Sequence, residues 1–209
     1  MCSRYYMDQS MAQELEILFG RLAGRSRQGA GFRPERIRSG DVRPTDTAPV
    51  LAEGDGSPYC IWQRWGFPGF PGSSGSKVIF NARCESATEK PLFQDSMYGG
   101  RIVVPASRFY EWNPGKEKHT FFRTGSPVLF MAGLCRQYED GAHFVILTTE
   151  ANASMKPVHD RMPLILDPDD VVPWLLDQGT ARTLLQKTPC LLERRTDYEQ
   201  LSLFTDHYR

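Results

Sequence analysis

Hydrophobic residues recur along this chain in two rhythms. Near the start the spacing is helical: Leu15, Leu18, Phe19 and Leu22 follow Ser10 and Gln13, which read as a capping box. The pattern predicts an amphipathic helix that stops near Gly24. Beyond it the rhythm shortens. Residues 42–51 contain Pro44 and Pro49 and read as extended, and a Gly/Asp/Ser turn at 54–58 follows. Residues 59–65, 77–83, 101–105, 107–112, 120–123, 128–134 and 143–149 read as strands, the last two strongly apolar. Asp167-Pro168-Asp169-Asp170 is a helix start with proline at the first helical position, and Pro173 limits or kinks that helix. A further short helix is expected over 181–186, and a loose polar tail over the last fifteen residues. Many short strands with few helices predict an α+β fold. No repeat or linker divides the chain, so residues 1–209 read as a single domain.

Two segments break the pattern. Residues 24–41 are rich in Arg, Gly and Ser and read as a loop. Six arginines lie from Arg21 to Arg38, which makes the segment either a phosphate-contacting patch or, as we prefer for the segment alone, a solvated loop. Residues 66–76 form an irregular loop carrying Phe67 and Phe70. Its rings either stack on bases or plug the core.

Composition narrows the class. Formal net charge is zero, so no overall field draws the chain to nucleic acid. No apolar run approaches the ~20 residues of a membrane span, and no signal peptide is visible. The chain reads as a soluble cytoplasmic protein. Its five cysteines are scattered, odd in number and without CxxC spacing, which argues against a disulfide framework and a structural zinc site. There is no Gly-rich phosphate loop, and no cofactor or metal is expected.

Six residues carry candidate chemistry. Cys2 is either a small residue after a start codon or, if the initiator Met is removed, an N-terminus with a thiol and a free α-amine on adjacent carbons; with Met1 retained only the thiol remains. That amine titrates near pH ~8 and is partly neutral at pH 7. Amines condense with aldehydes, and a neighbouring thiol can then close a thiazolidine ring. Glu111 sits between Tyr110 and Trp112. It is either an outward-facing strand residue or a desolvated carboxylate suited to acid–base work. His159 abuts the apolar run that follows Arg161, and is either a structural histidine or a proton shuttle. Asn81, Arg83 and Glu85 alternate, as residues on one side of a strand do.

These stretches resemble one known family. The matching blocks are Met1-Cys2-Ser3-Arg4, Arg43-Pro44-Thr45, Arg64-Trp65-Gly66-Phe67, Phe80 to Glu85, Val104 to Trp112, Ala132-Gly133-Leu134, Thr148 to Asn152 and His159-Asp160-Arg161-Met162-Pro163. In that order, over about residues 1–166, they resemble the SRAP family (SOS response-associated peptidase), understood as abasic-site crosslinking proteins. The resemblance implies a compact α+β domain of coiled, barrel-like β-sheets with a few short helices and a central positive groove. It implies a low-turnover activity in the DNA damage response. Single-stranded DNA or a junction carrying an abasic site would become crosslinked to Cys2 through a thiazolidine, by a monomeric protein that associates with the nucleoid. Asn81 would position the Cys2 amine or the opened sugar. Glu111 would move protons, and His159 would protonate the sugar oxygen. Arg4, Arg83 and Arg161 would hold phosphates, and Trp65 and Phe67 would stack on bases. Ser3 departs from the family's usual Gly, and the tail after Leu166 matches poorly. Two other activities compete: a thiol (auto)peptidase or lyase built on Cys2, and a non-covalent single-strand-binding module.

Overall fold

In the computed structural model, residues 2–23, 38–69 and 78–196 are described. The chain begins with β1 (Arg4–Met7), α1 (Ser10–Ala23) and β2 (Gly40–Val42). A hairpin follows, β3 (Thr47–Gly54) and β4 (Ser57–Trp65), then β5 (Asn81–Arg83), α2 (Cys84–Ala87) and α3 (Pro91–Gly99). Next come β6 (Arg101–Ala106), β7 (Arg108–Trp112), β8 (Lys118–Phe122), β9 (Leu129–Tyr138) and β10 (Gly141–Glu150). The chain ends in β11 (Arg161–Pro163), β12 (Ile165–Leu166), a 3-10 turn at Pro168–Asp170, α4 (Val171–Leu176), α5 (Gln178–Leu184) and β13 (Glu193–Thr196).

Five strands close into a ring. The order β10-β4-β3-β6-β9 returns to its start because β9 also pairs with β10. Closure removes the free edges that an open sheet would expose. β6 is buried at every position and β3 at five in succession, so these strands carry continuous apolar runs rather than alternation. The second sheet, β13-β8-β7-β1-β2, is antiparallel throughout. Its inner face carries Tyr5, Phe109 and Phe121, all fully buried, with the two phenyl rings stacked at 5.2 Å. Tyr5 meets Trp65 of the barrel at 5.1 Å, which joins the two sheets through one aromatic contact. The whole is an α+β domain of barrel-like sheets with short helices, as the resemblance implies.

The parallel junction of the barrel positions the site. β10 pairs with β4 only at His143–Arg64 and Phe144–Trp65. β4 then leaves, and β5 takes its place beside β10, pairing Asn81 with Ile146 and Arg83 with Thr148. Gly66 makes the exit. Its φ is +113°, and a Cβ there would lie 2.1 Å from Val78 Cγ1, so only glycine fits.

A buried arginine secures two helix ends. Arg101 donates from Nε to the Trp174 carbonyl at 2.7 Å, from Nη1 to Met97 at 2.8 Å and from Nη2 to Leu175 at 3.0 Å. These are C-terminal carbonyls of α3 and α4, which have no partner within their own helices.

The structure revises several sequence expectations. The carboxylate at the start of α1 is Asp8, which accepts from Ser10 N at 3.0 Å and from the Ser10 hydroxyl. Glu85 lies on α2 rather than on the strand with Asn81 and Arg83, because the chain turns helical at Cys84. Part of the expected loose tail is β13, paired with β8. The rest of that tail, most of the Arg-rich segment and residues 70–77 lie outside the described residues. Among the described residues no helix is long and apolar enough to cross a membrane, and no group of three or more His, Cys, Asp and Glu is placed to hold a metal ion.

Candidate active site

Cys2 lies just ahead of β1, where the second sheet meets the start of β5. The Asn81 side-chain amide donates to the Cys2 carbonyl at 2.8 Å. The other end of that side chain, Oδ1, is buried with no hydrogen-bond partner among the described residues. It is an acceptor positioned beside Cys2. The Cys2 thiol donates to the Arg4 carbonyl at 3.6 Å, and the residue is only 1% exposed. Burial first, and then the charge of Glu111, push the thiol up to about 12. Burial also raises the Tyr5 hydroxyl well above its ordinary value, with Cys2 next in effect.

Glu111 is 5% exposed on the inner face of β7. Strand register explains its place: Arg4 pairs with Tyr110, so Glu111 sits one residue beyond the start of β1, on the Cys2 side. Trp112 N–H donates to Glu111 Oε1 at 3.3 Å. Across the hairpin, His119 stands directly opposite Glu111 and is also 5% exposed. Directly opposed residues hold their Cβ atoms about 4.5–5.5 Å apart, so a carboxylate and an imidazole share one buried spot.

His159 lies just ahead of β11, which pairs with the end of β10. Its Nδ1 is 2.9 Å from Arg161 N–H and 2.8 Å from Asp160 Oδ1. One nitrogen cannot accept from the amide and donate to the carboxylate at once. A ring that accepts from Arg161 at Nδ1 carries its N–H on Nε2.

The structure thus brings Cys2, Asn81 and Glu111 together, while His159 stands two residues ahead of the Arg161–Glu150 pair that joins β11 to β10. The arginines divide. Arg4 packs over Trp112 at 5.2 Å and pairs with Asp41 at 3.7 Å. Arg83 is exposed, lining a groove of about 710 Å³ with Asn81, Lys90, Leu92, Phe93 and Arg136. Arg161 is not available as the resemblance implies. Its guanidinium binds both Glu85 oxygens, at 2.7 and 2.9 Å, and the Thr148 carbonyl, and its side chain is 11% exposed.

Trp65 and Phe67 also depart from their expected role. Both are fully buried. Trp65 donates to the Phe80 carbonyl at 2.8 Å and lies parallel to Phe144, while Phe67 packs against Phe93 and Tyr138. Their faces are occupied by the core, so they cannot receive bases.

Sequence reasoning missed His119 and Tyr5. The signal for His119 was present, because Asn113-Pro114-Gly115 marks a turn and a hairpin closed at Trp112–Lys118 sets residue 119 opposite 111. A larger depression, about 830 Å³, lies between α2 and α5 and includes neither Cys2 nor Asn81. Chemistry, rather than size, selects the site.

Comparison with known proteins places this chain in a family. The chain matches the family model described as SOS response associated peptidase (SRAP) over residues 1–203, and it belongs to that family. Abasic site processing protein YoaM of Bacillus subtilis is 36% identical over 135 residues, a match covering 59% of this chain and 59% of that protein. Abasic site processing protein YedK of Escherichia coli is 28% identical over 182 residues, covering 84% of this chain and 79% of that one. The match thus spans under two thirds of YoaM. A crystal structure of a protein from Bordetella bronchiseptica superimposes with a TM-score of 0.71 at 22% identity, over 93% of this chain and 99% of that one, and so shares the fold.

Proposed function

We propose that this chain captures abasic sites in single-stranded DNA by forming a thiazolidine with Cys2. The observation that carries the proposal is the Asn81–Cys2 hydrogen bond, with a buried acceptor on the same side chain and Glu111 beside it. The names of YoaM and YedK, both abasic site processing proteins, support the substrate class.

Removal of Met1 frees the Cys2 amine, which is partly unprotonated near neutral pH. It adds to the aldehyde carbon of the ring-opened sugar. Loss of one water gives an imine. The sulfur then adds to that carbon, and the thiol proton ends on the ring nitrogen. Glu111 carries this proton, Asn81 Oδ1 accepts from the amine or a sugar hydroxyl, and His159 protonates the sugar oxygen during opening. Arg4 and Arg83 hold flanking phosphates. The thiol suits this order of events. Held protonated by burial, it waits until the imine has formed, whereas a thiol peptidase needs a thiolate at the outset.

Incubation with an abasic single-stranded oligonucleotide, followed by a denaturing gel, tests the proposal. A shifted band that is absent in Cys2→Ala is expected. Turnover of a peptide with no DNA present would favour the peptidase instead.

A further inference from the structure

The outer face of the second sheet carries four cations stacked on four aromatic rings. Arg4 lies over Trp112 at 5.2 Å and Arg108 over Tyr6 at 3.8 Å. Lys118 lies over Tyr110 at 4.4 Å and Arg195 over Phe122 at 4.9 Å. Strand register puts all of these on one side. Arg4 opposes Tyr110, Tyr6 opposes Arg108, Trp112 opposes Lys118, and Arg195 opposes Thr120, next to Phe122 on the same face. Tyr5, Phe109, Glu111 and Phe121 point the other way, into the core.

We infer that this face is a track for single-stranded nucleic acid, carrying the flank of the strand whose lesion reaches Cys2. Its direction rests on the proposed function; its binding chemistry does not. Rings and cations alternate from strand to strand, as bases and phosphates alternate along a nucleic acid. From β1 to β13 the track covers three strand spacings, about 14 Å. A guanidinium laid flat on a ring offers its outer face to a base and its edge to a phosphate. The face is also locally positive in a chain of zero formal charge. Its acids among the described residues are Asp41, paired with Arg4, Glu193, which accepts from the Thr124 hydroxyl, and Asp8, whose charge reaches Arg108, so cations still outnumber them. The track is continuous with the site, because Arg4 lies two residues from Cys2 and ends the array at β1. The planar groups are the guanidinium groups of Arg4, Arg108 and Arg195 and the half-buried rings of Tyr6, Trp112 and Phe122, while Tyr110 is buried beneath Lys118. A protein partner would match the charge but not these planar groups.

The test measures binding of an undamaged, mixed-sequence single-stranded DNA by fluorescence anisotropy across a salt series, using the full chain. The triple variant Arg108→Ala, Lys118→Ala, Arg195→Ala should flatten the slope of log K against log salt by about 2, at ~0.7 per phosphate contact on a single strand. Phe122→Leu keeps an apolar side chain while removing the ring, and should weaken binding about fivefold or more. Arg195→Glu, on an exposed edge strand, repeats the charge test without disturbing the fold and should also flatten the slope. Unchanged slopes and affinities overturn the inference. An equal loss on blunt duplex DNA overturns it too, since paired bases present no face for stacking. Because the probe is undamaged, a failure of Cys2 to crosslink would leave this result independent.

Discussion

Asn81 donates its side-chain amide to the Cys2 carbonyl across 79 residues of chain. The bond fixes the second residue of the protein to the strand that replaces β4 beside β10. Residues near a chain end are ordinarily loose. Here Cys2 is tied and buried, which is what the proposed nucleophile needs if its geometry is to be set before substrate arrives.

Asn81→Ala should therefore cost more in rate than in stability. Losing one hydrogen bond costs about 0.5–1.5 kcal/mol. A nucleophile misplaced by an ångström can lose about a hundredfold in rate. Crosslinking time courses beside thermal melts separate the two. A melt that falls steeply while the folded fraction crosslinks normally would make Asn81 a structural residue.

Glu111→Gln should slow adduct formation by about 10²–10⁴, the range for loss of a positioned acid or base. The melting temperature should move by no more than about 4 °C, equivalent to ~1 kcal/mol at this size. Glu111 also helps hold the Cys2 thiol up, so its neutralisation should lower that thiol and speed its alkylation at a given pH. Slower alkylation, or none, would separate the two residues.

Alkaline stability follows from the buried thiols. Burial raises Cys2 and Cys84 from an ordinary 9.0 to about 12, and Cys60 to about 11. Above pH 9 the unfolded chain loses thiol protons that the folded chain keeps. The native state then binds more protons, so stability falls as pH rises, from about 9 until the folded values are passed. Denaturant midpoints between pH 8 and 11 should decline, and Cys2→Ser should make the decline shallower. A flat profile would contradict the burial of these thiols.

The sequence was most legible where local chemistry decides. Apolar runs gave the barrel strands, and Asp167-Pro168 gave the turn ahead of α4, where Asp167 and Asp170 form a reciprocal cap. Cys2, Asn81 and Glu111 were legible as candidates because a nucleophile, an amide and a carboxylate stand out by type. Their meeting depends on β5 replacing β4 along β10, a tertiary exchange that no local pattern encodes. Trp65 and Arg161 show the same limit from the other side. A tryptophan or arginine beside a site reads as a ligand-binding group until packing shows its partners to be Phe144 and Glu85.

Trp65→Ala should accordingly act through stability, costing about 3–5 kcal/mol as a large buried aromatic does. Arg161→Ala should cost about 1.5–3 kcal/mol, the range for hydrogen bonds to charged groups. Arg83→Ala should leave the melt unchanged and weaken DNA binding across sequences alike. Equal loss of DNA affinity in stably folded Arg161→Ala and Arg83→Ala would return Arg161 to the phosphate contacts.

Intact mass spectrometry of the protein after mixing with an abasic single-stranded oligonucleotide tests the central claim most directly. The predicted product has the mass of the chain lacking Met1 plus the oligonucleotide less one water, and Cys2→Ala does not form it. An unmodified protein, or an adduct of the same mass formed equally by Cys2→Ala, would contradict the account.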